Sequence, residues 1–197
     1  MAKNYDDQEF YLFGVKNSAA ALSVTPDIFE EAVRTGNFSE RRRIHNYLAL
    51  GEYPDYLQFP VIFHKDEGVK LRDLASMAYG LAHFLISDRI RLILEENHLT
   101  GWKTYPIELY DKKGKEIRGY TGFSFVGRGG AIEGSMGPMW REIQHKRHRY
   151  DRTQWDGSDF FIIYPMYPVI TERALNILCQ NKISGAEFYP LSAEVDY

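Results

Sequence analysis

The residues with the most chemical potential lie between positions 122 and 159 of the 197-residue chain. Gly127-Arg128-Gly129-Gly130 could cradle a phosphate with backbone amides and a guanidinium. It lacks both the Gly-Lys-Ser/Thr order of a Walker loop and the spacing of a dinucleotide fingerprint. A glycine-rich turn after a strand explains it as well. Glu142, His145 and His148 recur every three residues, a spacing that would bring them together on a helix and allow a metal between them. Arg141, Lys146, Arg147, Arg149 and Arg152 surround them with positive charge that disfavours a cation. No metal site and no cofactor is therefore expected. The segment suits a negatively charged partner or a solvated helix face better.

Nucleophiles fare no better. Gly122-Phe-Ser-Phe-Val-Gly127 and Gly134-Ser-Met-Gly137 both miss the Gly-x-Ser-x-Gly elbow of a serine hydrolase. Cys179 is the only cysteine, which excludes an internal disulfide and reads as a small core residue. Arg41-Arg42-Arg43 reads as the solvated side of a helix. No catalytic residue is assigned, and the balance is against an enzyme. Tryptophan and arginine often anchor interfaces. Trp102, Arg128, Trp140, His145, His148 and Trp155 are the candidate partner-binding residues.

Composition sets the limits. A content of 44% hydrophobic and 15% aromatic residues is that of a globular chain with one well-buried core. With 24 basic and 27 acidic side chains, bulk charge does not favour nucleic acid or a membrane surface. No stretch resembles a signal peptide, and none approaches the ~20 apolar residues of a membrane span, so the expected location is the cytoplasm.

The elements that must position these residues are organised by a repeat. Ile86 to Ile107 falls on Ile170 to Leu191 at an offset of 170 − 86 = 84, matching Ile86, Arg89, Ile93, Leu94, Asn97, Gly101, Tyr105 and Pro106 with identical residues. Ser87 or Thr171 can cap a helix, and Asp88 or Glu172 places negative charge at its positive end. Ile90, Ile93 and Leu94, like Ala174, Ile177 and Leu178, form one apolar stripe. Asn97 and Asn181 stand where each stripe ends, with Asn expected in the left-handed stop conformation. Aromatic and branched residues at 102–109 and 186–192 predict strands, and Pro106 and Pro190 place them at sheet edges.

Elsewhere, strands are predicted at Phe10–Val15, at 56–63 and at Asp159–Tyr164, and helices from Thr25-Pro26-Asp27 and over Ser39–Leu50. Leu71 to Met77 reads as a short helix or loop. Glu108 to Val126 reads as a hairpin turning at Asp111-Lys-Lys-Gly114. The predicted fold is a single α+β domain over 1–197, with two repeated helix–strand units, about 84–109 and 168–192, packed on antiparallel or mixed sheet.

Trp155-Asp-Gly-Ser-Asp-Phe-Phe161, Val169-Ile-Thr-Glu-Arg-Ala174 and Ile183-Ser-Gly-Ala-Glu-Phe-Tyr-Pro190 resemble the C-terminal signature of bacterial polymorphic-toxin immunity proteins. Tyr105 to Gly114, Gly119 to Phe123 and Gly127 to Gly130 resemble the middle of the same or a sister family, so the likeness covers about residues 80–192. It implies a non-enzymatic protein that binds and blocks a cognate toxin domain. Two alternatives remain at this point: an enzyme or binding module for a nucleotide or phosphorylated ligand using Arg128 and the 141–152 segment, and a structural module with no toxin. A partner is expected to read what differs between the copies, Trp102-Lys103-Thr104 against Ala186-Glu187-Phe188 and Asp111 to Gly130 following only the first, together with the 131–157 segment that joins them.

Overall fold

The computed structural model describes residues 10–16, 18, 20–28, 34, 36, 38–77, 82–133, 149–150, 152–164 and 166–191. Its strands are β1 (Phe10–Val15), β2 (Ser23–Pro26), β3 (Val61–Glu67), β4 (Leu74–Met77), β5 (Phe84–Ser87), β6 (Trp102–Tyr105), β7 (Ile107–Tyr110), β8 (Tyr120–Phe125), β9 (Gly127–Glu133), β10 (Arg149–Tyr150), β11 (Phe160–Tyr164), β12 (Tyr167–Thr171) and β13 (Ala186–Leu191). Three α-helices have described bounds: α1 (Phe38–Leu50), α2 (Asp88–Glu96) and α3 (Glu172–Gln180).

The chain is thus predominantly β, which corrects the α+β expectation of helix–strand units laid on a sheet. Segments read as loop, helix or turn are strands: β4 lies in 71–77, and the glycine-rich 127–130 opens β9. Helices α2 and α3 have nine residues each. At about 1.5 Å per residue such helices are too short to cover a core of this size. Sheet covers it instead. No helix among the described residues is long and apolar enough to cross a membrane.

One sheet has the order β6-β8-β5-β4-β2-β3-β7, the other β13-β1-β12-β11-β9-β10. Aligning the copies makes β4, β5 and β6 equivalent to β11, β12 and β13. The remaining positions then match as well, since β2 is parallel to β4 as β9 is to β11, and β3 and β10 are their antiparallel neighbours. What is exchanged is the first strand of each half. β8 lies between β5 and β6, whereas β1 lies between β12 and β13. The registers agree at an offset of 120 − 10 = 110: Ser87 faces Tyr120 as Thr171 faces Phe10, and Trp102 faces Phe125 as Ala186 faces Val15. Each half is completed by a strand from the other.

The predicted 108–126 hairpin is also corrected. Its turn forms, with Asp111 N–H donating to Lys115 and Gly114 N–H to Asp111. However, β7 pairs in parallel with β3, and β8 pairs with β5 and β6. The predicted strand at 56–63 begins only at Val61. Strands β6 and β13 do occupy sheet edges.

Between the sheets lies one core to which both halves contribute, including Phe13, Leu74, Phe84, Ile90, Leu94, Phe123, Phe125, Phe160, Ile162 and Leu178. Phe13 stands edge-on to Phe84 at 5.2 Å and to Phe160 at 5.9 Å, while Phe123 stacks on Phe84 at 5.4 Å. Two outer cores back the sheets: Ile44 and Leu48 of α1 cover Leu22, Val24, Val61, Phe63 and Tyr105, and Phe10, Leu12, Phe161 and Val169 gather near Trp155.

Two equivalent polar clasps join the halves. Asp159 accepts from the Thr171 hydroxyl at 3.0 Å, the Thr100 amide at 3.0 Å and the Arg173 guanidinium at 2.7 Å. Asp73 accepts from the Ser87 hydroxyl at 3.0 Å, the Ser184 amide at 2.8 Å and Arg89 at 2.9 Å. Each arginine then crosses over, Arg173 donating to the Asn97 carbonyl and Arg89 to that of Asn181. Every aspartate therefore ties the helix start of its own copy to the turn after the helix of the other. At the helix ends the asparagines are not left-handed: Asn97 has φ −93°, and the positive φ falls one residue later, at His98 (50°) and Lys182 (51°). Asn97 and Asn181 close the last turn with their side-chain amides, which donate to Ile93 and Ile177.

Candidate partner-binding surface

The structure employs three of the six candidate residues in holding the fold. Trp102 stacks on Phe123 with 9° between the ring planes and donates its indole N–H to the Leu99 carbonyl at 2.7 Å. Trp155 packs edge-on against Phe10 at 4.9 Å and donates to the Ser158 carbonyl at 2.9 Å. Arg128 donates to the carbonyls of Phe125, Gly127 and Leu50 and to the Glu52 carboxylate at 2.8 Å, binding the end of α1 to the β8–β9 junction. Trp140, His145 and His148 lie outside the described residues, as does the rest of 141–148.

These contacts give Gly127 to Gly130 a structural role. The guanidinium is already engaged by three carbonyls and a carboxylate, and the glycines serve close packing. A Cβ at Gly127 would lie 2.3 Å from the Phe160 carbonyl oxygen, and one at Gly130 would meet Gln154 at 2.3 Å. Arg152, the described end of the basic segment, sits over the Phe10 ring at 5.1 Å. Among the described residues no three His, Cys, Asp or Glu side chains gather as metal ligands would.

The motif that carries the resemblance is equally structural. Trp155 is in an outer core, Asp156 receives the Arg128 amide at 2.7 Å, Gly157 has φ +89°, and Asp159 builds a clasp. Its residue types are explained by folding alone.

A different surface has the chemistry of an interface. It is built on the connection from α1 to β3. Helix α1 stops at Gly51, whose φ of +68° favours glycine. Lys103 of edge strand β6 crosses this point, since a Cβ on Gly51 would be 2.3 Å from Lys103 Cε and 3.0 Å from Val126 Cγ1. Beyond it, Tyr53 shares a hydrogen bond of 2.8 Å with Ser124, which itself donates to the Leu48 carbonyl. Burial pushes the Tyr53 phenol above its ordinary pKa, against a smaller opposing effect of the Ser124 bond, so the ring remains neutral and fixed. Its edge meets Phe59 at 5.1 Å and Tyr105 at 5.7 Å. The Lys103 ammonium lies 4.1 Å above its centroid.

Exposed apolar side chains adjoin this centre, Val126 at 38% and Phe59 at 37% exposure, and Tyr56 on the same connection is 60% exposed. The rim carries the Arg128–Glu52 ion pair. Tyrosine, phenylalanine and arginine are among the residue types enriched at protein interfaces. Tyr56 and Phe59 were merged with the strand predicted at 56–63, and Tyr53 just ahead of it was assigned no role. Lys103 was visible only as one of the differences between the copies. No protein-family model matches the chain, and no curated protein matches it.

Proposed function

We propose that this chain is a cytoplasmic immunity protein that binds a toxin domain through the Tyr53–Phe59 surface and neutralises it by contact. The observation that carries the reading is the aromatic cluster over 53–59, held from beneath by Tyr105 and Ser124 and left exposed at Tyr56, Phe59 and Val126. Its support is a division of labour. The residues shared with the immunity-protein signature, Asp159, Thr171, Arg173 and Ser184, hold the two halves together. The surface that can discriminate between partners lies elsewhere, on the exposed faces of an aromatic cluster whose inner side packs on the scaffold. Steric occlusion needs an interface of ordinary size and no catalytic group.

The test is co-expression with the product of the neighbouring open reading frame, which this reading expects to end in a toxin domain. The unmodified chain is expected to restore growth. Tyr56→Ala with Phe59→Ala is expected to abolish rescue while leaving the fold intact, each side chain contributing about 1–3 kcal/mol of binding. Failure of the unmodified chain to protect would overturn the reading.

A further inference from the structure

We infer that Lys103 is the charge-reading residue of this surface, and that the partner seats a carboxylate side chain over it, framed by apolar groups packing on Tyr53, Phe59 and Val126. The inference rests on the proposed toxin-binding role and specifies the chemistry of the partner at that site.

Three observations carry it. First, the ammonium is held in place. The lysine stem passes along the backbone at Gly51, where even a Cβ would strike it, and the charged end rests on the Tyr53 ring. A long flexible side chain has thus already lost much of the freedom that an interface would otherwise have to remove.

Second, among the described residues no carboxylate neutralises this charge. Glu52 is taken by Arg128 at 2.8 Å, and among the described residues Lys103 has no ion-pair partner. A half-buried cation has given up part of its water, so an incoming carboxylate is worth more to it than to a fully solvated lysine.

Third, the scaffold does not demand a cation here. The equivalent position in the second copy, 103 + 84 = 187, is Glu187, which accepts from the Tyr189 hydroxyl at 3.1 Å. The two edge strands occupy the same place in their sheets with opposite charge. The sign of this residue therefore belongs to the surface of the first copy.

The experiment pairs the growth assay with affinity measured on the purified C-terminal domain of that neighbouring gene product, over a range of salt concentrations. Lys103→Arg is expected to bind close to the unmodified chain. Lys103→Gln should weaken binding about tenfold with a shallower salt dependence, and Lys103→Glu about a hundredfold or more. Thermal melts of all three confirm folding; if Lys103→Glu fails to fold, the Gln and Arg variants decide. If the unmodified chain protects and Lys103→Gln binds equally well with an unchanged salt slope, the carboxylate inference is overturned while the immunity reading stands. If the unmodified chain neither binds nor protects, both fall.

Discussion

At the scale of single residues, the two copies differ in how tightly they are built, and the difference can be measured. Gly101 and Gly185 are equivalent and have φ +83° and +86°, so an alanine at either is strained by about 1–2 kcal/mol. A Cβ on Gly101 would also lie 2.0 Å from the Phe160 carbonyl oxygen, whereas the nearest atom to one on Gly185 is 3.1 Å away on the flexible Arg72 side chain. Gly101→Ala should therefore lower the urea midpoint clearly more than Gly185→Ala; equal losses would refute the packing argument. Asp73 shows a titration effect. Burial raises its pKa, but the bonds from Ser184, Ser87 and Arg89 together outweigh this and hold it below the ordinary carboxylate value. Because the folded-state pKa is depressed, its stabilisation is present above the unfolded value of about 3.9 and is lost as pH falls through the folded one. Asp73→Asn should cost stability at neutral pH and converge on the parent chain in acid, which urea titrations across pH 2–7 would reveal.

At the scale of elements, the clasps decide how the repeated helices are joined. Asp159 is buried, and its loss would leave the Thr100 amide and the Thr171 hydroxyl without this acceptor and Arg173 with only the Asn97 carbonyl. Asp159→Ala is expected to cost about 2–4 kcal/mol. Arg173 is 48% exposed, so Arg173→Ala should cost less, about 1 kcal/mol. A double-mutant cycle on this pair measures their coupling, and strict additivity would show that the ion pair does not act as a unit. The helix starts are capped locally, by Ser87 and Thr171. What the capping residues do next is non-local, since each also donates to a clasp aspartate that the other copy shares.

At the scale of the whole molecule, the strand exchange ties the stability of each half to the other. Leu12 belongs to the first half by sequence, yet it lies opposite Val169 of β12 and Tyr189 of β13. Leu12→Ala should cost about 2–5 kcal/mol. Its loss of hydrogen-exchange protection should be concentrated in β12 and β13 before it reaches β2 and β3. Since the central core takes Phe13, Phe84, Phe123 and Phe160 from both halves, the chain should unfold in one transition by every probe. Two separable transitions would contradict the exchanged architecture.

How much was legible follows from the range of the interactions. Helix α1, strand β1, the N-caps of α2 and α3 and the turn at Asp111–Gly114 depend on neighbours a few residues away, and the sequence alone determined them. The sheets were not legible, because the partner of a strand is chosen by the core that it buries. Asp111–Gly114 forms its turn, yet β8 leaves β7 to insert between β5 and β6. Asp73 gave no local signal, since its partner Ser184 is 111 residues away. Among the candidate site residues, tryptophan and arginine were recognised as strong binders of something. Only the tertiary structure decided that Trp102, Trp155 and Arg128 bind their own chain, while Tyr53, Phe59 and Lys103 converge on the surface. The physical reason is that an indole N–H or a guanidinium can be satisfied by internal carbonyls or by a partner equally well. Which of these occurs depends on where distant strands place the acceptors.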